Sequence, residues 1–376
     1  MALSYWEYKT WLNNIDFTIV GSGIVGLSCA LSLREKYPKA KIVILERGIL
    51  PNGASTKNAG FACFGSVSEI LDDLRSHSEE EVVQLVKKRV KGLELLRKQL
   101  GDKNIGFQQY GGYEIFREND TNSYEECLLK LPYINNLLKE AIFSKNDVFL
   151  IKNNLFSFKN IQKNVIFNQY EGQLDTGKMM QQLLSKCQKK GVLILNSIKI
   201  DSFLSENEQI LLKTDHFGEI LTKKLLVATN GFAEELLKKN MLAPARAQVL
   251  ITKPIKNLGI KGTFHLDKGF YYFRNIDNRI LLGGGRNLDF KGETTTEMTT
   301  TQYIQNTLEE LLKNTILPNK AIEIEYRWSG IMGVGQQKKP IVEKISEHVY
   351  CAVRLGGMGV AIGSLVGKEL ADLASE

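Results

Sequence analysis

Residues 17 to 33, FTIVGSGIVGLSCALSL, hold three glycines at G-x-G-x-x-G spacing behind an apolar run. No other stretch constrains the fold as much. Phe17 to Val20 has the composition of a short buried strand. Gly21 permits a tight turn, Gly23 lets backbone approach a pyrophosphate, and Gly26 lets the following helix pack closely on a sheet. That helix is expected over about residues 24–36, opening on Ile24 and Val25. Its N-terminus offers free N–H groups and a positive dipole end to phosphate. Pro38 ends the helical region. A second strand, KIVILE, then finishes on Glu46, 25 residues beyond Gly21. A carboxylate at that place suits ribose hydroxyls and repels a 2′-phosphate, which disfavours NADP. The unit predicts a bound dinucleotide; an ordinary glycine-rich strand-to-helix turn is the bland alternative.

The next segment, ERGILPNGASTKNAGFACFG, is rich in small residues where a plain dinucleotide unit would continue into a helix. Small residues allow backbone to approach a flat, bulky ligand. Here the chain resembles the D-amino-acid oxidase, glycine oxidase and sarcosine oxidase superfamily of FAD enzymes. In that family a G-A-S-x-x-N-x-G stretch lines the pyrophosphate and flavin, matched by Gly53, Ala54, Ser55, Asn58 and Gly60. Three further stretches match in order: 170–203, 225–232 (LLVATNGF) and 349–373 (VYCAVRLGGMGVAIGSLVGKELADL).

The resemblance implies an α/β fold: an FAD-binding Rossmann-like domain with a parallel sheet, plus a substrate domain built on an antiparallel sheet. The FAD domain is expected to be discontinuous, over 1–100, 160–244 and 325–376. The substrate domain takes 101–159 and 245–324. The implied FAD contacts begin with Gly21, Gly23, Ile24, Val25 and Gly26 and with Glu46 and Arg47. They continue through Ala54, Ser55, Thr56, Asn58, Ala59, Gly60, Phe61 and Ala62. Ile200 falls where the family's adenine-contacting backbone lies. Ala228, Thr229, Asn230 and Gly231 form the turn under the cofactor. Gly330, Arg354, Gly356, Gly357, Met358, Gly359 and Val360 complete the set. A helix starting near Val360 would aim its positive end at the flavin N1–C2=O edge and stabilise the anionic reduced form. The sequence holds no second G-x-G-x-x-G and no cysteine near Gly333 to Lys338, where sarcosine-type enzymes attach flavin. Noncovalent FAD is therefore expected, with no metal.

Composition bounds the rest. The chain has 376 residues, enough for two domains, and a net charge of +7 that reads as a solvated lysine-rich surface. Its five cysteines form no C-x-x-C pair, which suggests reduced thiols and a cytoplasmic protein. The start, MALSYWEYKTWLNN, lacks the pattern of a signal peptide. The most apolar segment is too short to span a bilayer. The mixed charges of residues 78–100 argue against a nucleic-acid-binding stripe.

Residues 66–100 and 300–313 have helical apolar spacing, whereas 106–120, 245–255, 269–285 and 322–333 alternate as strands. Asp277-Asn278 is a candidate hairpin turn. Substrate-positioning residues should come from this second sheet. Phe270, Tyr272 and Arg274 share one strand face by the period of two. Tyr272 is the candidate substrate contact, with Tyr271 the register alternative and a packed aromatic strand the bland reading. Arg274 matches a frequent family arginine, and Arg286 follows GGG at a strand end. Arg246 resembles a structural crossover residue. The stretch Trp328-Ser329-Gly330-Ile331-Met332-Gly333 puts Met332 where many amino-acid oxidases carry a carboxylate-binding arginine. The sarcosine-type lysine that assists oxygen has no counterpart in ILLGGG. His77, His216, His265 and His348 fall in no motif and read as surface or structural.

These readings point to oxidation of a C–N bond in an amine or amino acid. The rivals are a tRNA-modifying flavin oxidase, a flavin-binding electron-transfer or scaffold subunit, a plain NAD dehydrogenase and a hydroxy-acid oxidase.

Overall fold

The structure, a computed structural model, describes residues 3–206, 208–215, 218–318 and 320–376. His216 lies outside them. The strand Ile15–Val20 is buried at nearly every position, as a strand covered on both faces must be. Gly21 takes φ 102°, and the helix Ile24–Lys36 starts directly behind Gly23. A Cβ at Gly26 would stand 2.0 Å from the Gly21 carbonyl oxygen, so only glycine lets the helix lie this close to the turn.

Around this unit lies a mixed sheet. Its order is Ile341–Ser346, Val349–Val353, Glu219–Val227, Ile15–Val20, Ile42–Leu45 and Leu193–Leu195. The last five strands run parallel. Ile341–Ser346 pairs antiparallel at one edge. Ile200–Glu206 and Gln209–Thr214 extend Glu219–Val227 as an antiparallel ribbon. Ile19, Ile42 and Ile44 face one core with the helices Ile24–Lys36, Glu79–Leu100, Thr176–Lys189 and Gly359–Leu373. Val43, Leu45 and Leu225 face a second core on the other side. Small residues bring these helices close. A Cβ at Gly367 would lie 2.5 Å from the Val25 carbonyl oxygen, and one at Gly92 2.3 Å from that of Ala361.

The second sheet has the order Ile324–Val334, Ala243–Thr252, Arg279–Gly284, Tyr271–Ile276, Thr263–Leu266, Gly112–Glu114, Asn164–Asn168, Phe149–Asn153. Every pairing is antiparallel except Thr263–Leu266 with Gly112–Glu114. Phe264 and Phe273 stack at 4.5 Å in its core. The hairpin turns at Asp277 and Asn278, both left-handed at φ 48° and 56°, as a two-residue turn of this hand requires. The fold is α/β with a parallel sheet and an antiparallel one, as expected.

The structure differs from the sequence reading in two places. Residues 106–120 form no strand pair: only Gly112–Glu114 is a strand, with isolated bridges from Gln108 and Arg117. Gly106 and Gly111 take positive φ there and turn the chain out of the pleat. Residues 66–100 form two helices, Val67–Leu74 and Glu79–Leu100, because Ser66/Glu69 and Ser78/Glu81 make two capping boxes. Ile324–Val334, the strand expected over 322–333, pairs into the second sheet, and Asn164–Asn168 joins it. Thr121–Leu138 is a helix despite Pro132. It buries Cys127, Leu131, Ile134 and Leu138, and that burial outweighs the lost backbone bond.

Candidate active site

A cavity of about 490 Å³ runs between the two sheets. At one end, Val20, Gly21, Gly23, Ile24 and Val25 form its wall, with Glu46, Arg47 and Ile200 beside them. Glu46 is buried. Its carboxylate accepts the Ser22 N–H and hydroxyl at 3.0 and 2.8 Å and the Gly48 N–H at 2.9 Å. It thus ties the glycine turn to the end of the second strand. Arg47 lies over the Phe232 ring at 3.8 Å and pairs with Glu235 at 3.4 Å.

The small-residue stretch comes next along the wall. Gly53 precedes the short helix Ala54–Lys57. Ser55 Oγ accepts the Ile24 N–H at 3.0 Å, and a Cβ at Gly23 would stand 2.8 Å from it. That cradle has no space for a side chain, only for a ligand approaching backbone. Asn58 holds the loop by donating to the Ser55 carbonyl at 2.8 Å and accepting the Gly60 N–H at 2.8 Å. Asn58, Ala59 and Phe61 line the cavity. Opposite them, Ala228, Thr229 and Asn230 follow Glu219–Val227. The buried Thr229 hydroxyl has no hydrogen-bond partner among the described residues, which suits a ligand in this place. Gly330, Gly356, Gly357, Met358, Gly359 and Val360 bring the N-terminus of Gly359–Leu373 into the wall, without a side-chain cap. The long cleft, the glycine cradle and the unsatisfied hydroxyl fit a dinucleotide cofactor.

Some expected contacts lie behind this wall. Gly26 faces the helix packing, and Thr56 donates to the Pro51 carbonyl at 2.8 Å. Gly60, at φ 71°, packs against the Leu174 carbonyl, and Ala62 pairs with Gly172. A Cβ at Gly231 would meet the Met332 carbonyl at 2.6 Å. Arg354 donates to the Lys339 carbonyl at 2.8 Å. These six support the lining residues.

The far end is the face of the second sheet. Tyr272 lines it, partly buried, and burial pushes its hydroxyl up to about 12. Its ring packs over Gly283 of the neighbouring strand, where a Cβ would stand 2.6 Å from it. Phe61 meets it edge-on at 5.6 Å. Met332 also lines the cavity. Arg274 does not, and its surroundings accord with a structural role. It is buried and donates to the backbone carbonyls of Ala59 and Leu174, the latter at 2.9 Å. It braces the flavin-side loop, and burial lowers its pKa to about 10. Arg246 is likewise structural, paired with buried Glu293 at 2.7 Å.

His265, expected to be surface or structural, lies in the cavity wall. Its Nε2 is 3.3 Å from Glu171 Oε2. Burial opposes its charge, but the Glu171 hydrogen bond and the Glu69 and Glu114 carboxylates raise its pKa to about 9. Glu114 is itself pushed up to about 7 by burial. Cys63 joins this group, so the fold makes a Cys63–Glu171–His265 cluster with ligand atoms within 4.8 Å that the sequence reading did not find. With its imidazole against the Glu171 carboxylate, the cluster reads as a buried ion pair. The one legible signal was the polar His265 inside the apolar strand Thr263–Leu266.

A profile of the family described as FAD dependent oxidoreductase matches residues 16–373. The chain is 22% identical to the probable oxidoreductase OrdL of Haemophilus influenzae, covering 96% of this chain and 83% of that one. It is 24% identical to gamma-glutamylputrescine oxidoreductase of Escherichia coli, covering 95% and 83%. Glycine oxidase from Bacillus cereus superposes with a TM-score of 0.76 at 16% identity, covering 96% and 97%. L-Proline dehydrogenase from P. horikoshii gives 0.73 at 19%, covering 96% and 93%. No helix among the described residues is long and apolar enough to cross a membrane. The glycine turn, the small-residue loop and the closing helix all meet in one cleft, and the family match spans all three: the chain is an enzyme of the D-amino-acid oxidase family of FAD dependent oxidoreductases.

Proposed function

We propose that this enzyme oxidises the C–N bond of an amine or amino acid, with hydride passing from the substrate carbon to N5 of noncovalently held FAD. One observation carries the reading: a single cleft joins the dinucleotide turn to the Tyr272 wall. A substrate there would lie between the aromatic face and the flavin-side loop. Tyr272 orients it, and its neutral hydroxyl can donate a hydrogen bond throughout the ordinary pH range. Apolar neighbours such as Val249, Phe270 and Met332 help exclude water from the reacting carbon. No nucleophilic side chain is required, because the cofactor supplies the redox chemistry and the protein the positioning. The names of the relatives cover both substrate classes, an amino acid in glycine oxidase and L-proline dehydrogenase and an amine in gamma-glutamylputrescine oxidoreductase. Five free, buried thiols accord with a cytoplasmic setting.

The test is anaerobic bleaching of the holoenzyme's flavin absorbance by a panel of amino acids and amines. Bleaching by one class is the expected result. A yellow protein that no member reduces would overturn the reading and return weight to a macromolecular substrate, an alcohol or a scaffold role.

A further inference from the structure

Six cationic side chains other than His265 line the cleft, and four already have acidic partners: Arg47 with Glu235, Lys199 with Asp201, Lys268 with Asp72, and Lys338 with Asp73. Arg286 is different. Among the described residues its guanidinium makes no hydrogen bond and no ion pair. Its guanidinium lies 4.9 Å from the centre of the Phe290 ring and 5.8 Å from that of Phe270. The one acid with a sizeable pull on it is Glu293, and that carboxylate is committed to Arg246 at 2.7 and 2.9 Å.

The backbone sets Arg286 in place. Gly284 ends the strand Arg279–Gly284 and Gly285 follows it, with φ 128° and 80°. The Gly285 N–H donates to the Phe270 carbonyl at 2.9 Å. A Cβ at Gly284 would be 2.0 Å from that same oxygen, so only glycine permits the crossing. The turn sends Arg286 back over Phe270, which shares a strand face with Tyr272. Arg286 therefore stands on the substrate side of the cleft, beside the Tyr272 wall. A half-buried guanidinium beside two aromatic rings, with its N–H fork unused among the described residues, matches a carboxylate in two-point geometry. Met332, which also lines the cleft, is uncharged and cannot do this.

We propose that Arg286 is the carboxylate anchor of this active site, so that the substrate is an amino acid bound from the end of the 279–284 strand. This rests on the C–N oxidation reading and narrows its substrate class. Lys57, the other cleft-lining cation without an acidic partner among the described residues, belongs to the flavin-side loop and packs against Gly330.

The experiment titrates FAD-loaded enzyme with propionate and separately with propionamide, following the perturbation of flavin absorbance without turnover. Propionate is expected to perturb the spectrum saturably and propionamide not to. Arg286→Gln should weaken propionate binding by about 30-fold or more, and Arg286→Lys by less, because lysine keeps the charge and loses the fork. FAD content and thermal midpoint report folding. Equal binding of propionate and propionamide by the unmodified enzyme would overturn the proposal without any variant. Undiminished propionate binding in Arg286→Gln, or loss on Lys57→Gln instead, would overturn it as well. If propionate binding depends on Arg286 but no amino acid or amine bleaches the flavin, the anchor stands and the oxidation reading falls.

Discussion

At the residue scale, single side chains and single absent side chains build the cofactor end. Gly26 is the sharpest case. Gly26→Ala forces a methyl to within 2.0 Å of the Gly21 carbonyl, and neither the turn nor the buried helix has space to yield. The purified variant is expected to be colourless or insoluble, read as the flavin-to-protein absorbance ratio. Arg274 makes a different prediction, since it braces a loop and touches no cleft surface. Arg274→Gln leaves the buried Ala59 and Leu174 carbonyls without a charged donor, which costs about 3 kcal/mol of stability. Chemical denaturation should show that loss, with FAD retention falling in parallel. Arg274 also shows a limit of sequence reading. Alternation placed it correctly on the Tyr272 face, but which partners a guanidinium meets depends on a loop more than 200 residues away.

At the element scale, the hairpin of Tyr271–Ile276 and Arg279–Gly284 shapes the substrate wall. Its turn and pairing were legible, because Asp-Asn tolerates left-handed backbone and the flanks alternate. The reason for its glycines was not. Gly283 leaves a bare patch of backbone on which the Tyr272 ring lies flat. Gly283→Ala should tilt that ring into the cleft, raising KM for the reduced-flavin-forming substrate by about tenfold with FAD content unchanged. A KM within twofold of the parent would show that the ring is not a substrate contact. The helices of 66–100 teach a related lesson. Apolar spacing ran through both, and two serine caps with glutamates three residues on made the break.

At the scale of the whole molecule, two sheets enclose one cleft, and at its floor meet charges from separate segments. His265 faces Glu171, Glu69 and Glu114, with Cys63 beside them. Its folded pKa of about 9 lies above its ordinary value of 6.5. The stabilisation from this ion pair is therefore complete below about pH 6.5 and lost as the pH rises through about 9. Thermal midpoints measured from pH 6 to 10 should fall across that window. His265→Gln strands the buried Glu171 carboxylate and should cost about 3 kcal/mol at pH 6 while flattening the decline. A slope unchanged in the variant would assign the pH dependence to other groups.

The sequence by itself determined the local physics of this protein. An apolar run, three spaced glycines and an acid at the next strand end can fold in few other ways, because glycine alone relieves the sterics at 21 and 26. The small-residue loop and the closing glycine turn likewise carried the cofactor end of the cleft on their face. Only the tertiary structure decided the rest. Sheet membership of 164–168 and 324–334 depends on which edge is open to pair. The charge of His265, the bracing role of Arg274 and the unpaired state of Arg286 depend on neighbours distant in the chain. Backbone preference is written within a few residues of each position, whereas desolvation and ion pairing arise only where the fold brings remote segments together.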